Sequence, residues 1–178
     1  AMQKACENKA GAMAAVLGLE DKKIIKICKK INGIVGPANF NCPGQLVISG
    51  DLSAVEKACQ MLKEAGAKRV VSLPVSGAFH SPLMEPARKK LEDAINSTDF
   101  KEPICPIYQN TVGIAITNPE LIKKNLLLQL TSSVKWSQSV KKMIEDGIDN
   151  FIEIGPGKVL QGLIKKVSSE LKTSSAEY

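Results

Sequence analysis

Ile34-Val35-Gly36-Pro37-Ala38-Asn39-Phe40, followed by Asn41-Cys42-Pro43-Gly44 and then Gln45-Leu46-Val47-Ile48-Ser49, is the stretch whose reading decides the fold. The first seven residues read as a short strand. The next four are turn chemistry, and the last five are a strand with an apolar centre. On the N-terminal side, Ile24, Ile25, Ile27, Cys28 and Ile31 recur at helical spacing over residues 20–31. Before them, residues 11–19 are small and apolar, as in a buried strand. On the C-terminal side, Ser53 with Glu56 predicts a capping box opening a helix, and Gly66 predicts its stop. Residues 68–73 then read as a last strand. The order is β-α-β-β-α-β, the ferredoxin-like pattern, over residues 11–74.

The remainder alternates differently. Ser81 with Pro82 predicts a helix start and a helix to Ile95. Residues 104–108 read as a strand edged by prolines, and Asn118-Pro119-Glu120 opens a helix to Leu130. Residues 134–144 predict another helix. A strand at 150–154 leads through Gly155-Pro156-Gly157 into a final helix from Lys158. The polar end, residues 172–178, is expected to fray. Strands alternating with helices imply an α/β layer. The organisation expected is a helix end or linker at 1–10, a small subdomain at 11–74, and part of a second α/β subdomain at 75–178.

Composition narrows the function classes. The chain has 178 residues, 44% hydrophobic and 24% charged, a globular balance able to bury a core without staples. No apolar run reaches the ~20 residues of a membrane span. A single histidine excludes a multi-histidine metal site. Five cysteines, at 6, 28, 42, 59 and 105, form no C-x-x-C pair, which argues for small core residues in a reducing compartment. The net charge of +6 comes with paired lysines, which suit either a solvated face or an anionic partner. Aromatics are only 4%, and Phe40 is the one candidate on the small subdomain's sheet for stacking a base, so nucleic acid is not an expected partner.

His80 lies in Val75-Ser76-Gly77-Ala78-Phe79-His80-Ser81-Pro82, between a strand and a helix start. It reads either as a loop histidine satisfying a local carbonyl or as a general base kept neutral by the nearby helix N-terminus. A base needs a nucleophile, and no Gly-x-Ser-x-Gly elbow exists in these residues. Gly155-Pro156-Gly157-Lys158 lacks the phosphate-loop spacing and reads as a tight strand-to-helix turn. The amides of Asn39, Asn41 and Gln45 are turn chemistry or the lining of a polar cleft.

Several separated strings resemble the malonyl-coenzyme A:acyl carrier protein transacylase family. They are residues 11–19, Asn39-Phe40-Asn41-Cys42-Pro43-Gly44-Gln45, Gly66-Ala67-Lys68-Arg69, the segment from Pro74 through His80 to Met84, Gln129-Leu130 with Val134-Lys135-Trp136, and residues 153–160. Their order and spacing agree over essentially the whole chain. The resemblance implies an α/β fold: a ferredoxin-like small subdomain plus the C-terminal part of an α/β-hydrolase-like acyltransferase subdomain. It also implies a serine–histidine acyl transfer. On the same resemblance the expected substrate is malonyl-coenzyme A and the expected partner acyl carrier protein, with no cofactor or metal, in a cytoplasmic setting or an organelle stroma or matrix.

By the same resemblance, His80 matches the catalytic histidine, and Gln129 matches a glutamine whose backbone carbonyl orients it. Asn110 matches a second carbonyl nearby, and Asn39 and Asn41 match amides at the inner edge of the small subdomain. Phe79 matches the residue that excludes an α-methyl and so selects malonyl over methylmalonyl groups. The family's Gly-His-Ser-x-Gly elbow, its N-terminal glutamine and its malonyl-binding arginine are expected before Ala1, making this the C-terminal part of the enzyme. The alternative expectation is a catalytically incomplete module that binds acyl carrier protein or coenzyme A. A basic nucleic-acid binder ranks last.

Overall fold

A computed structural model of the chain describes residues 1–75 and 77–176. After a short helix α1 (Met2–Asn8) come β1 (Gly11–Leu17), α2 (Asp21–Cys28), β2 (Val35–Cys42), β3 (Gln45–Asp51), α3 (Leu52–Glu64) and β4 (Arg69–Ser72). These strands form one antiparallel sheet in the order β2-β3-β1-β4, the ferredoxin-like arrangement.

Side chains alternate across a strand, so each face of this sheet is a separate apolar set. Ala14 and Val16 of β1 and Leu46 and Ile48 of β3 face α2 and α3, where Ile24, Ile27, Val55 and Leu62 close the main core. Their neighbours Met13 and Val47 face the other way and pack with Ala38 and Phe79. The second face of the sheet is thus covered by the segment that carries His80. That close approach needs Gly11: a Cβ there would lie 2.5 Å from the Ala78 Cβ.

The second part contains a 3-10 segment (Pro82–Ala87), α4 (Arg88–Asn96), β5 (Ile107–Tyr108), β6 (Ala115–Ile116), α5 (Pro119–Gln129), α6 (Trp136–Glu145), β7 (Asn150–Glu153), α7 (Val159–Val167) and β8 (Lys172–Ser175). β5 and β6 pair antiparallel, and β7 and β8 pair parallel. Ala5 of α1, Met84 and Ala87 of the 3-10 segment, and Leu130 after α5 form a small buried cluster. The two parts are joined along β2. Val134 N–H donates to the Ala38 carbonyl (2.7 Å), Phe40 N–H to the Val134 carbonyl (2.8 Å), and the Ser133 hydroxyl to the Pro37 carbonyl (2.6 Å).

Several sequence expectations are corrected here. No Ser53–Glu56 capping box forms: α3 starts directly from β3 with Asp51 at its N-cap, which places Ser53 inside the helix. The Asp51 carboxylate instead accepts from Ile34 N–H (2.9 Å) and pairs with Lys9 (2.7 Å). The helix expected from Ser81 to Ile95 is split, because Pro86 has no N–H to donate and its ring crowds the preceding turn. The strand at 104–108 shrinks to Ile107–Tyr108, since Pro103 and Pro106 also lack donors, and its partner β6 was not foreseen.

Val134 belongs to the bridge with Asn39 rather than to α6. Residues 172–175 do not fray but form β8 in register with β7, and residues 177 and 178 lie outside the described residues. Phe40 is no exposed stacking platform, because its ring packs against the main core.

Candidate active site

His80 sits in the turn between β4 and the 3-10 segment, with φ of 57°. That left-handed conformation is uncommon for a residue with a side chain and costs of order 1–3 kcal/mol. It persists because both flanks are fixed. Before it, Phe79 is wedged between the Ala5–Met84 cluster and the Met13–Val47 cluster. After it, Ser81 caps the 3-10 segment: its buried hydroxyl accepts from Leu83 N–H (3.2 Å) and donates to the Ala78 carbonyl (2.6 Å).

The imidazole Nδ1 lies 3.0 Å from the Gln129 carbonyl oxygen. Gln129 is the last residue of α5, where carbonyls have no partner within the helix. The oxygen therefore accepts from Nδ1–H, and the negative end of the helix dipole favours that donor. A ring protonated at Nδ1 keeps its lone pair on Nε2, which has no hydrogen-bond partner among the described residues. This arrangement can take a proton from an incoming hydroxyl.

The ring lines a cavity of about 620 Å³ between β2 and the loop after α5. Its other walls are residues 33–37, Phe40, Ser49, Ser81, Pro82, Thr111, Thr131, Ser132, Ser133 and Lys135. Among the described residues the lining carries a lysine and several hydroxyls but no carboxylate. The Ser49 hydroxyl is fully buried and has no partner among the described residues. Such a wall suits a polar or anionic ligand.

The structure brings His80 and Gln129 together and places the other expected site residues elsewhere. Phe79 does not line the His80 cavity; it faces a smaller one beside Met2, Gln3 and Cys6 of α1. Asn110 lines a third cavity behind Gln129, and its carbonyl accepts from Lys135 N–H (2.8 Å). Asn39 and Asn41 sit in the irregular end of β2 and do not line the His80 cavity. Gln45 accepts from the Lys166 ammonium (3.1 Å). The turn at Gly155–Lys158 offers no anion site at α7, because the Glu153 carboxylate already accepts from the N–H groups of Leu160 (3.1 Å) and Gln161 (3.2 Å). Ser76 lies outside the described residues.

Sequence reasoning missed Gln109, Thr111 and Asn125, all buried and polar. Gln109 donates to the Ile122 carbonyl (3.1 Å), Asn125 donates to the Gln109 side-chain oxygen (2.9 Å), and the Thr111 hydroxyl contacts the Asn125 carbonyl (2.9 Å). The loop from β5 to β6 thereby grips the helix that supplies the Gln129 carbonyl. No local signal marks Asn125: it follows Lys123 and Lys124 in a polar stretch of α5, and only the packing of the helix buries it.

Comparison with known proteins is decisive on kinship. The model of the acyl transferase domain family matches residues 2–177. This chain belongs to that family. It is 45% identical over 175 residues to the malonyl CoA-acyl carrier protein transacylase of Bacillus subtilis (strain 168), covering 97% of this chain and 55% of the relative. An acyl carrier protein S-malonyltransferase from Vibrio cholerae superposes with a TM-score of 0.94 at 43% identity, over 99% of this chain and 58% of that one. A malonyl-transacylase solved in complex with a type II PKS acyl-carrier protein gives 0.92 at 37% identity, over 97% of this chain and 58% of that one. The chain thus spans a little over half the length of the relatives it matches. No helix among the described residues is long and apolar enough to cross a membrane.

Proposed function

We propose that this chain is the histidine-bearing part of a malonyl-coenzyme A:acyl carrier protein transacylase in fatty acid biosynthesis. The observation that carries the reading is the Nδ1–carbonyl pair at 3.0 Å, which leaves Nε2 able to act as a base beside a cavity with no carboxylate among its described lining residues. In the proposed reaction a serine hydroxyl attacks the thioester carbonyl of malonyl-coenzyme A while His80 Nε2 takes its proton. The tetrahedral adduct expels the coenzyme A thiolate, which receives that proton from Nε2. The phosphopantetheine thiol of the carrier then gives its proton to Nε2 and attacks the malonyl-serine ester, and the serine leaves as the alcohol. The Gln129 carbonyl replaces the acid of a triad by holding the tautomer.

Histidine and serine suffice for this chemistry without cofactor or metal, and a cytoplasmic setting suits both substrates. The identity to named transacylases and the carrier complex among the similar structures support the choice of substrates.

The serine is not among these residues. Ser81, next to the base and at the wall of the same cavity, is disfavoured because it is buried and its hydroxyl is already engaged as donor and acceptor. Mass spectrometry after incubation with malonyl-coenzyme A tests this. These 178 residues alone should give no stable adduct. Joined to a segment carrying a Gly-His-Ser-x-Gly elbow, they should give one malonyl group, on that serine. A stoichiometric adduct on Ser81 or Ser76 would overturn the assignment.

A further inference from the structure

We propose that Thr111 is a positioning residue that holds the Gln129 side-chain amide away from His80 and so keeps the histidine in its Nδ1–H tautomer. The proposal rests on the reading of His80 as the base and adds what protects that base. Two groups compete for Nδ1. The Gln129 carbonyl oxygen, at 3.0 Å, needs a proton on Nδ1. The Gln129 side-chain Nε2, at 3.4 Å, is a donor and would bond a bare Nδ1 instead. If the amide won, the ring proton would move to Nε2, and the nitrogen needed as base would have no lone pair.

The side chain is held off at both ends. Its Nε2 donates to the Ser132 carbonyl at 2.7 Å, much shorter than its distance to the ring. Its Oε1 accepts from the Thr111 hydroxyl at 3.1 Å. Turning the amide over would set Oε1 against the Ser132 carbonyl, acceptor against acceptor, so the orientation is fixed by chemistry. Thr111 itself is buried and held at the Asn125 carbonyl (2.9 Å), inside the Gln109–Asn125 network. Its single hydroxyl proton is shared between two acceptors, and losing that hydroxyl releases one end of the amide. The freed Nε2 can then swing onto Nδ1.

His80 is the only histidine in the chain, so ring nitrogen signals need no assignment. The experiment is long-range ¹H–¹⁵N correlation spectroscopy of the ¹⁵N-labelled full chain, at a pH where the ring is neutral. The parent should show the Nδ1–H form. Thr111→Val should convert a large part of the ring to the Nε2–H form, and Thr111→Ser should restore the parent pattern. Gln129→Leu removes the competing amide but keeps the backbone carbonyl, so it should stay Nδ1–H. The double variant Thr111→Val with Gln129→Leu should also be Nδ1–H.

A parent-like ring in a folded Thr111→Val protein overturns the proposal. A shift to Nε2–H in Gln129→Leu alone also overturns it, and that arm stands even if the valine variant does not fold. The two readings fail separately. An unchanged tautomer in Thr111→Val removes only the role of Thr111, whereas a reassembled enzyme with the Nδ1–H ring but no need of His80 removes only the proposed function.

Discussion

The small subdomain and the region after it are built to different degrees of closure. In the first, two helices cover one face of a four-stranded sheet and the segment leading to His80 covers the other, and Ile24, Leu46, Ile48 and Leu62 have no exposed surface. In the second, the sheets have two strands each, and Ile152 and Ile154 are 58% and 77% exposed. Parallel pairs such as β7–β8 are ordinarily covered on both faces, and two strands rarely stand alone. The His80–Gln129 pair spans this divide. His80 leaves the closed unit as its second face is covered, and Gln129 comes from the open one. The lesson is that the rigid lobe sets the histidine backbone, while a local polar network must hold the helix that supplies its partner.

The sharpest way to break this contrast is to truncate one apolar side chain in each region. Leu62→Ala should destabilise the chain by about 3–5 kcal/mol, because it opens a cavity in a core that cannot collapse. Ile154→Ala should change stability by no more than about 0.5 kcal/mol, as at an ordinary surface site. Urea denaturation of both variants checks this, and equal losses would mean that the two regions share one core.

Phe79 sharpens the comparison at the boundary. Phe79→Ala should cost about 3 kcal/mol, the low end for a phenylalanine, since its ring is only partly buried between the two clusters. The same residue was expected to select the acyl group. If it does, Phe79→Ser in the reassembled enzyme should raise kcat/KM for methylmalonyl relative to malonyl thioesters. Equal losses for both would leave the ring as a packing anchor alone.

Thiol chemistry gives a third reading of closure. Burial pushes the Cys28 thiol up to about 11 and also raises Cys59 and Cys42, whereas Cys105 is exposed in the second region. At a pH near 8 the thiolate fraction of Cys28 should be roughly 10²-fold below that of a free cysteine. Alkylation followed by mass spectrometry should modify Cys105 first and Cys28 only on unfolding.

The smallest effect concerns Glu153. Burial pushes its carboxyl up, but the N–H groups of Leu160 and Gln161 and the Gln161 side chain outweigh that and hold it below its ordinary value. A depressed carboxylate adds stability above its unfolded value of about 4.3, and loses it as pH falls through the lower folded value. The Tm difference between the parent and Glu153→Gln should therefore be present at neutral pH and vanish in acid. A difference independent of pH would mean that Glu153 acts by shape and not by charge.

What the sequence made legible follows the same divide. The β-α-β-β-α-β order of residues 11–74 was readable because its strands and helices carry clean apolar periods and its turns carry Gly44 and Gly66. The pairing of His80 with Gln129 was legible only through the family resemblance, since the partner is a backbone atom that no residue type announces. The split helix at Pro86, the hairpin of β5 and β6, and β8 were misread because two-residue strands and a polar parallel strand have no period to detect. Thr111 and Asn125 escaped because a buried hydrogen-bond network depends on three-dimensional neighbours, and their spacing of fourteen residues signals nothing.

The most direct measurement is the rate of malonyl transfer to acyl carrier protein by the reassembled enzyme carrying His80→Ala. The account predicts a loss of roughly 10²–10⁴ in kcat, as for removal of a general base, with binding of malonyl-coenzyme A little changed. Transfer within a few-fold of the parent would contradict it and return His80 to a strained loop residue bonded to a carbonyl.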